Sequence, residues 1–163
     1  MTVLTFAFTV SSGIALPNIR FKVDNRDLGH QQLAVGESTA MLSLSVTDGE
    51  HVIEIERYGK LDQHGDQSVT LDDIYIEDVR LPAWVKSSGQ FHYNDTVVDS
   101  GLIWYPNGRY LLTVQTPVIN WIVDERIRRW GEIPSLFAPT LAQRQQLTDI
   151  LNNFEQALQD VKV

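Results

Sequence analysis

The chain has no cysteine among its 163 residues, which excludes disulfides and thiolate metal centres. It has no polybasic run. Thirteen Lys and Arg stand against 21 Asp and Glu, for a net charge of −8. That balance excludes the electrostatic footprint of non-specific nucleic-acid binding and leaves no basic patch for an anionic membrane. No apolar stretch approaches the roughly 20 residues of a membrane-spanning helix. The N-terminus, MTVLTFAFTVSSG, is apolar but alternating and lacks a basic leader region, so it reads as a strand and not as a signal peptide. The four histidines (His30, His51, His64, His92) show no zinc-ligand spacing. No nucleophile elbow, phosphate loop or metalloprotease motif is present. Hydrophobic residues make up 43% of the chain, enough for a genuine core.

The dominant period is two. Leu4, Phe6, Phe8 and Val10 alternate with Thr and Ala, and Ile19, Phe21 and Val23 alternate with Arg20, Lys22 and Asp24. Both segments read as half-buried strands. Asn25 to Gly29 is turn chemistry, and Gln31 to Val35 reads as a short strand. From Met41 to Leu81 the alternation is clearest. Asp48-Gly49 separates two alternating runs, a strong signal for a tight hairpin pairing Leu44 with Ile53 and Leu42 with Ile55. In that register Leu42, Leu44, Val46, Ile53 and Ile55 share the apolar face, with His51 at its rim. Leu71 and Ile74 cannot share a face of an unbroken strand, so a bulge is expected at Asp72-Asp73.

After Pro82 the texture changes and most large aromatics appear. Gln90 to Val98 reads as a strand. Asn107-Gly108 signals a second hairpin, with Tyr105 opposite Tyr110 and Trp104 opposite Leu111. Thr116-Pro117 reads as a helix start, followed by Ile119, Val123, Ile127 and Trp130 at helical spacing, and a continuing strand interrupted at Pro117 is the alternative. A capping box at Thr140 to Gln143 opens a last helix whose Leu147, Leu151, Phe154, Leu158 and Val161 form a heptad-like seam. The expected architecture is all-β: a jelly-roll-type β-sandwich with an added β-hairpin and a C-terminal helix. The expected division is a sandwich over residues 1–82 and an aromatic-rich hairpin and helical region over 83–163.

The segment GEHVIEIERYGKLDQHGDQSVTLDDIYIEDVRL resembles the C-terminal half of the small calcium-dependent, xylan-binding carbohydrate-binding modules. In that family a hairpin strand leads into an acidic loop and then a second strand. Here these are His51 to Glu56, the loop from Gly59 to Ser68, and Ile74 to Val79. The resemblance implies a sandwich fold, a glycan partner and calcium as cofactor. The family's loop opens with an Asn-Asp pair that helps hold calcium, and Tyr58-Gly59 stands there in this chain. Modules of this look also occur in phage virion proteins, and WYPNGRYLLTVQTPVINWIV has the texture of such a subunit.

The candidate metal ligands are Asp62, Asp66, Asp72 and Asp73, carboxylates in or beside the acidic loop with His64 among them. Calcium takes six to eight oxygens, so backbone carbonyls have to complete the set. The candidates for stacking on sugar rings are Tyr58, Trp84 and Trp104. Trp104 and Leu111 on the hairpin, and Leu147, Leu151, Phe154 and Leu158 on the last helix, are the candidate interface residues. The leading expectation is a non-catalytic structural or adhesion subunit of a larger assembly, of the phage-virion kind, with other protein subunits or further copies of itself as partners. The first alternative is a calcium-dependent carbohydrate-binding module. The second is an enzyme of unknown class, for which paired carboxylates without a signature are the only support.

Overall fold

A computed structural model describes residues 2–61, 65–98 and 101–130. Two antiparallel sheets face each other across an apolar core. The first contains β1 (Thr2–Val10), β4 (Gly36–Leu44), β6 (Val69–Ile76), β7 (Val79–Arg80) and β10 (Ile103–Trp104). Its order is β10-β6-β1-β4, with β7 also on β6. The second contains β2 (Asn18–Val23), β3 (Arg26–Gln32), β5 (Gly49–Tyr58), β8 (Gln90–Tyr93), β9 (Thr96–Val98) and β11 (Gly108–Thr116), in the order β3-β2-β5-β11-β8-β9. Helix α1 (Ala83–Lys86) follows β7, and helix α2 (Val118–Trp130) follows β11 after a cis Thr116-Pro117 bond. The all-β sandwich expected from the alternation is the fold observed.

The inward faces agree with the sequence period. Leu4, Phe6, Phe8 and Val10 of β1 and Ile19, Phe21 and Val23 of β2 are buried. The bulge expected near Asp72-Asp73 is present: Ala7 pairs with Asp73 and Phe8 with Leu71, so Asp72 is the extra residue. It lets Leu71 and Ile74 both point inward, at 1% and 0% exposure.

The two expected hairpins are not formed. β4 pairs with β1 in the first sheet, and β5 pairs with β2 and β11 in the second, so Asp48-Gly49 carries the chain from one sheet to the other. Leu44 and Ile53 are both buried but belong to opposite sheets and share no ladder. Likewise β10 pairs with β6 and β11 with β5 and β8, so Asn107-Gly108 is a second crossing. The tight hairpin turns lie at Asp24-Asn25, Glu77-Asp78 and Asn94-Asp95. Both central residues of each have positive φ, which is the type I′ geometry that suits strand twist.

The expected boundary after residue 82 falls inside this sandwich, because β8, β9 and β11 are strands of the second sheet. One compact unit runs from Met1 to Trp121 and a second from Ile122 to Val163. Thr116 does not cap α2; its hydroxyl donates to the Thr47 and Gly49 carbonyls. Along α2, Arg128 and Arg129 donate to Glu125. No helix among the described residues is long and apolar enough to cross a membrane.

Trp104 sets the centre of the core. It leaves the first sheet inward and lies 5.5 Å from Phe91 and 5.6 Å from Tyr110 of the second, with Phe8 at 6.4 Å. Phe6 and Phe21 extend the cluster at 5.1 Å. At about 3–5 kcal/mol for a buried large aromatic, this cluster is a principal tie between the sheets.

Candidate functional site

Two polar side chains sit on the inward face of β5, at opposite ends. His51 and Arg57 share the parity of Ile53 and Ile55, and both are buried.

At the Arg57 end the guanidinium is 1% exposed and has no carboxylate partner among the described residues. Nη1 donates to the carbonyl oxygens of Trp104 at 2.5 Å and Tyr105 at 2.9 Å, and Nη2 donates to that of Gln67 at 3.1 Å. Nε has no partner. Burial pulls the Arg57 pKa down to about 10, which leaves the group charged at neutral pH. The same Tyr105 carbonyl also accepts from Lys60 Nζ at 2.7 Å. Asn107 completes the join. Its Oδ1 accepts the Lys60 backbone N–H at 2.8 Å, and its Nδ2 donates to the Lys60 carbonyl at 2.9 Å. One amide side chain thereby imitates a strand partner for Lys60.

These bonds fix the walls of an open cleft of about 490 Å³ lined by Lys60, Gly65, Asp66, Tyr93, Asn94, Tyr105, Pro106 and Asn107. Tyr93 and Tyr105 are 42% and 53% exposed. Tyr93 ends β8 just before the Asn94-Asp95 turn, and Tyr105 follows Trp104 out of the core. Flat aromatic faces beside amide, carboxylate and ammonium groups suit a polyhydroxylated ligand, whose C–H faces stack while its hydroxyls hydrogen-bond.

The expected site residues are dispersed. Trp104 is 0% exposed, so neither sugar stacking nor an intersubunit contact is open to it. The physical reason is that β10 joins β6, which turns Trp104 inward and Ile103 outward. Leu111 is half-buried on the outer face of the second sheet and does not share a face with Trp104. Tyr58 is half-buried, with the Arg20 guanidinium 5.0 Å from its ring centroid. Trp84 is half-buried on α1. Leu147, Leu151, Phe154 and Leu158 lie outside the described residues.

The proposed calcium set does not assemble among the described residues. Asp62 and His64 lie outside them. Asp66 is exposed at the cleft. Asp72 sits at the bulge, accepting from Thr9 Oγ1 at 2.7 Å. Asp73 accepts from Arg80 at 2.9 Å and from Lys86 Nζ at 2.7 Å, and these contacts hold its carboxyl below the ordinary value against the opposing effect of burial. Its negative charge is already spent on two cations. No group of three His, Asp or Glu placed to hold a metal occurs among the described residues.

At the other end of β5, His51 Nδ1 lies 2.7 Å from Asp24 Oδ2 and Nε2 lies 2.8 Å from the Thr47 carbonyl. Both neighbours are acceptors, so both ring nitrogens are satisfied when each carries a proton. The Asp24 hydrogen bond raises the His51 pKa above 6.5 against the opposing effect of burial, helped by Thr47 and by the Asp24 charge. Partial burial pushes Asp24 upward, but its bonds to His51 and the Val52 N–H outweigh it, and the pKa is lowered.

The cleft residues Tyr93, Asn94, Tyr105 and Asn107, and the arginine beneath them, are not among those the sequence singled out. Arg57 was legible: it continues the inward parity His51, Ile53, Ile55. The cleft was not, because three distant segments build it.

No protein-family model matches the chain, and no curated protein matches it. Solved structures do. The sandwich superposes on vCBM60 in complex with galactobiose with a TM-score of 0.53 at 12% identity, covering 69% of this chain and 99% of that one. It superposes on the selenomethionine form of vCBM60 with a TM-score of 0.51 at 15% identity, covering 69% and 90%. That second structure was described in connection with a circular permutation linking two families of calcium-dependent carbohydrate binding modules. What is shared at these identities is the fold, an all-β sandwich.

Proposed function

We propose that this β-sandwich is a non-catalytic glycan-binding module whose ligand lies in the cleft between Tyr93 and Tyr105. The observation that carries the reading is the cleft itself: two exposed tyrosines beside Asp66, Asn94 and Lys60, on a fold shared with a module solved in complex with galactobiose. Tyr93 and Tyr105 present the stacking surfaces, and Asn94 and Asp66 meet sugar hydroxyls. Asn107 is committed to Lys60 and serves to hold the wall in place. A non-catalytic role fits a cleft whose described lining residues include one carboxylate, Asp66.

The test is a glycan array followed by calorimetric titration of the hits, with Tyr93→Ala and Tyr105→Ala as controls. Stacking on an exposed aromatic supplies about 1 kcal/mol or more, so each variant is expected to weaken binding at least several-fold without unfolding. No hits on the array, or hits whose affinity ignores both substitutions, overturn the assignment. The assembly-subunit reading rests on sequence texture alone, and its helical seam lies outside the described residues.

A further inference from the structure

We propose that Arg57 stands where a structural metal ion would: its guanidinium gathers the backbone carbonyls of both cleft walls, so the cleft assembles without calcium. The proposal rests on the reading of this cleft as the ligand site.

A hard metal ion organises loops by drawing carbonyl and carboxylate oxygens towards one positive centre. The Arg57 end has that arrangement with a side chain as the centre. The carbonyls of Trp104 and Tyr105 come from one wall and that of Gln67 from the loop that forms the other, and all three converge on the buried guanidinium. Tyr105 contributes its oxygen twice, to Arg57 and to Lys60 Nζ. A buried arginine ordinarily sits against a carboxylate. Here its partners are neutral dipoles, the same groups that complete a calcium shell.

The guanidinium also supplies direction. It is planar, with donors in fixed positions. Nη1 grips two successive carbonyls, so the path of the chain from Trp104 to Tyr105 is set, with the Trp104 ring held in the core and the Tyr105 ring left 53% exposed at the cleft. A divalent cation taking the same oxygens would lie a few ångströms from a buried positive charge, and repulsion at that range excludes joint occupancy. Two of the four carboxylates that the sequence offers for calcium are used elsewhere: Asp73 by Lys86 and Arg80, and Asp72 by Thr9.

The experiment uses the full chain in three forms: wild type, Arg57→Gln and Arg57→Lys. Thermal melts of the wild type after EDTA treatment and in excess calcium are expected to coincide. Hydrogen exchange is expected to show the amides around residues 65–68 and 104–107 opening at least roughly tenfold faster in R57Q, the factor for losing one charge-assisted hydrogen bond. The amides of β1 and β2 are expected to keep their protection, and R57K to recover part of the loss. Glycan affinity, where the array gives a hit, is expected to be equal with EDTA and with calcium.

A melting temperature raised by calcium overturns the proposal. So does an R57Q variant whose exchange rises uniformly or not at all. Should R57Q fail to fold, R57K and the metal titration decide it, since a lysine offers fewer donors and local opening then appears in that variant. No glycan binding, together with metal-independent melting and local opening in the variants, removes the glycan reading and leaves Arg57 as the organiser. Calcium-dependent melting with glycan binding retained does the reverse.

Discussion

The two ends of β5 solve one problem in opposite ways. Each places a polar side chain on a face otherwise made of Ile53 and Ile55, and each uses it to tie down a connection that passes between the sheets. At the His51 end the tie is a charge pair, with Asp24 at 2.7 Å, and a carbonyl, that of Thr47. Asp24 is half-exposed there, so water shares its charge. At the Arg57 end the tie is a buried cation against carbonyls alone. The contrast teaches what each end is sensitive to. A carboxylate–imidazole pair responds to pH. A guanidinium with a pKa of about 10 keeps its charge throughout the ordinary range.

The largest effect is expected from Arg57→Met. It removes the donor from the buried Trp104 and Gln67 carbonyls, each costing about 1–3 kcal/mol when unsatisfied, while the Tyr105 carbonyl keeps Lys60 Nζ. Urea unfolding is expected to show a loss of about 3 kcal/mol or more, unchanged between pH 5.5 and 8.5. A loss under about 1 kcal/mol would place water or another donor at those oxygens.

Next comes His51→Gln, with an expected cost of about 1–2 kcal/mol at pH 5.5. The sign of the pH dependence follows from the two shifts. His51 has a raised folded pKa, so its contribution is full below about 6.5 and is lost as pH rises through the folded value. Asp24 has a lowered folded pKa, so its contribution is full above about 4 and is lost as pH falls through the folded value. The pair therefore stabilises most between those limits. The wild type and Arg57→Met are expected to lose stability from pH 5.5 to 8.5 along parallel slopes, and His51→Gln along a shallower one. Equal slopes in the wild type and both variants would break the comparison.

A smaller effect is expected from Asp24→Asn, about 1 kcal/mol at pH 5.5, since a half-exposed partner is partly screened. In a double-mutant cycle with His51→Gln the two costs are expected not to add, whereas Asp24→Asn and Arg57→Met should add within about 0.5 kcal/mol. The smallest effect is expected from Asn25→Gly. Asn25 has φ of 64°, which glycine adopts freely, so a change within about 0.5 kcal/mol is expected by the same unfolding assay.

The fold was legible to the extent that period fixes a face. Alternation told which residues of β1, β2, β4 and β5 point inward, and the broken alternation at Leu71 and Ile74 located the bulge. It did not tell which strands are neighbours. In a sandwich both sheets present apolar faces to one core, so Leu44 and Ile53 are inward-facing whether they share a ladder or oppose each other across the interior. Asp-Gly and Asn-Gly looked decisive for hairpins, yet glycine there serves a crossing: Gly49, at φ 138°, opens β5. The tight turns fell to Asp24-Asn25, Glu77-Asp78 and Asn94-Asp95, where Asn and Asp tolerate positive φ and only Glu77 is unexpected. The tyrosine cleft stayed hidden for the same reason, since Lys60, Tyr93 and Tyr105 become neighbours only through long-range pairing.

That pairing also sets the order in which the molecule can be made. β5 lies between β2 and β11, and its register with β11 joins Arg57 to Gly108 and Gly49 to Thr116. A nascent chain reaches Tyr58 with β2 and β3 at hand but must wait about fifty residues more for the strand that covers the other side of β5. Until then Ile53, Ile55 and the guanidinium of Arg57 belong to an open half-sheet. Non-local closure of this kind slows folding, and the exposed flank of β5 is the segment a holding chaperone would have most reason to meet.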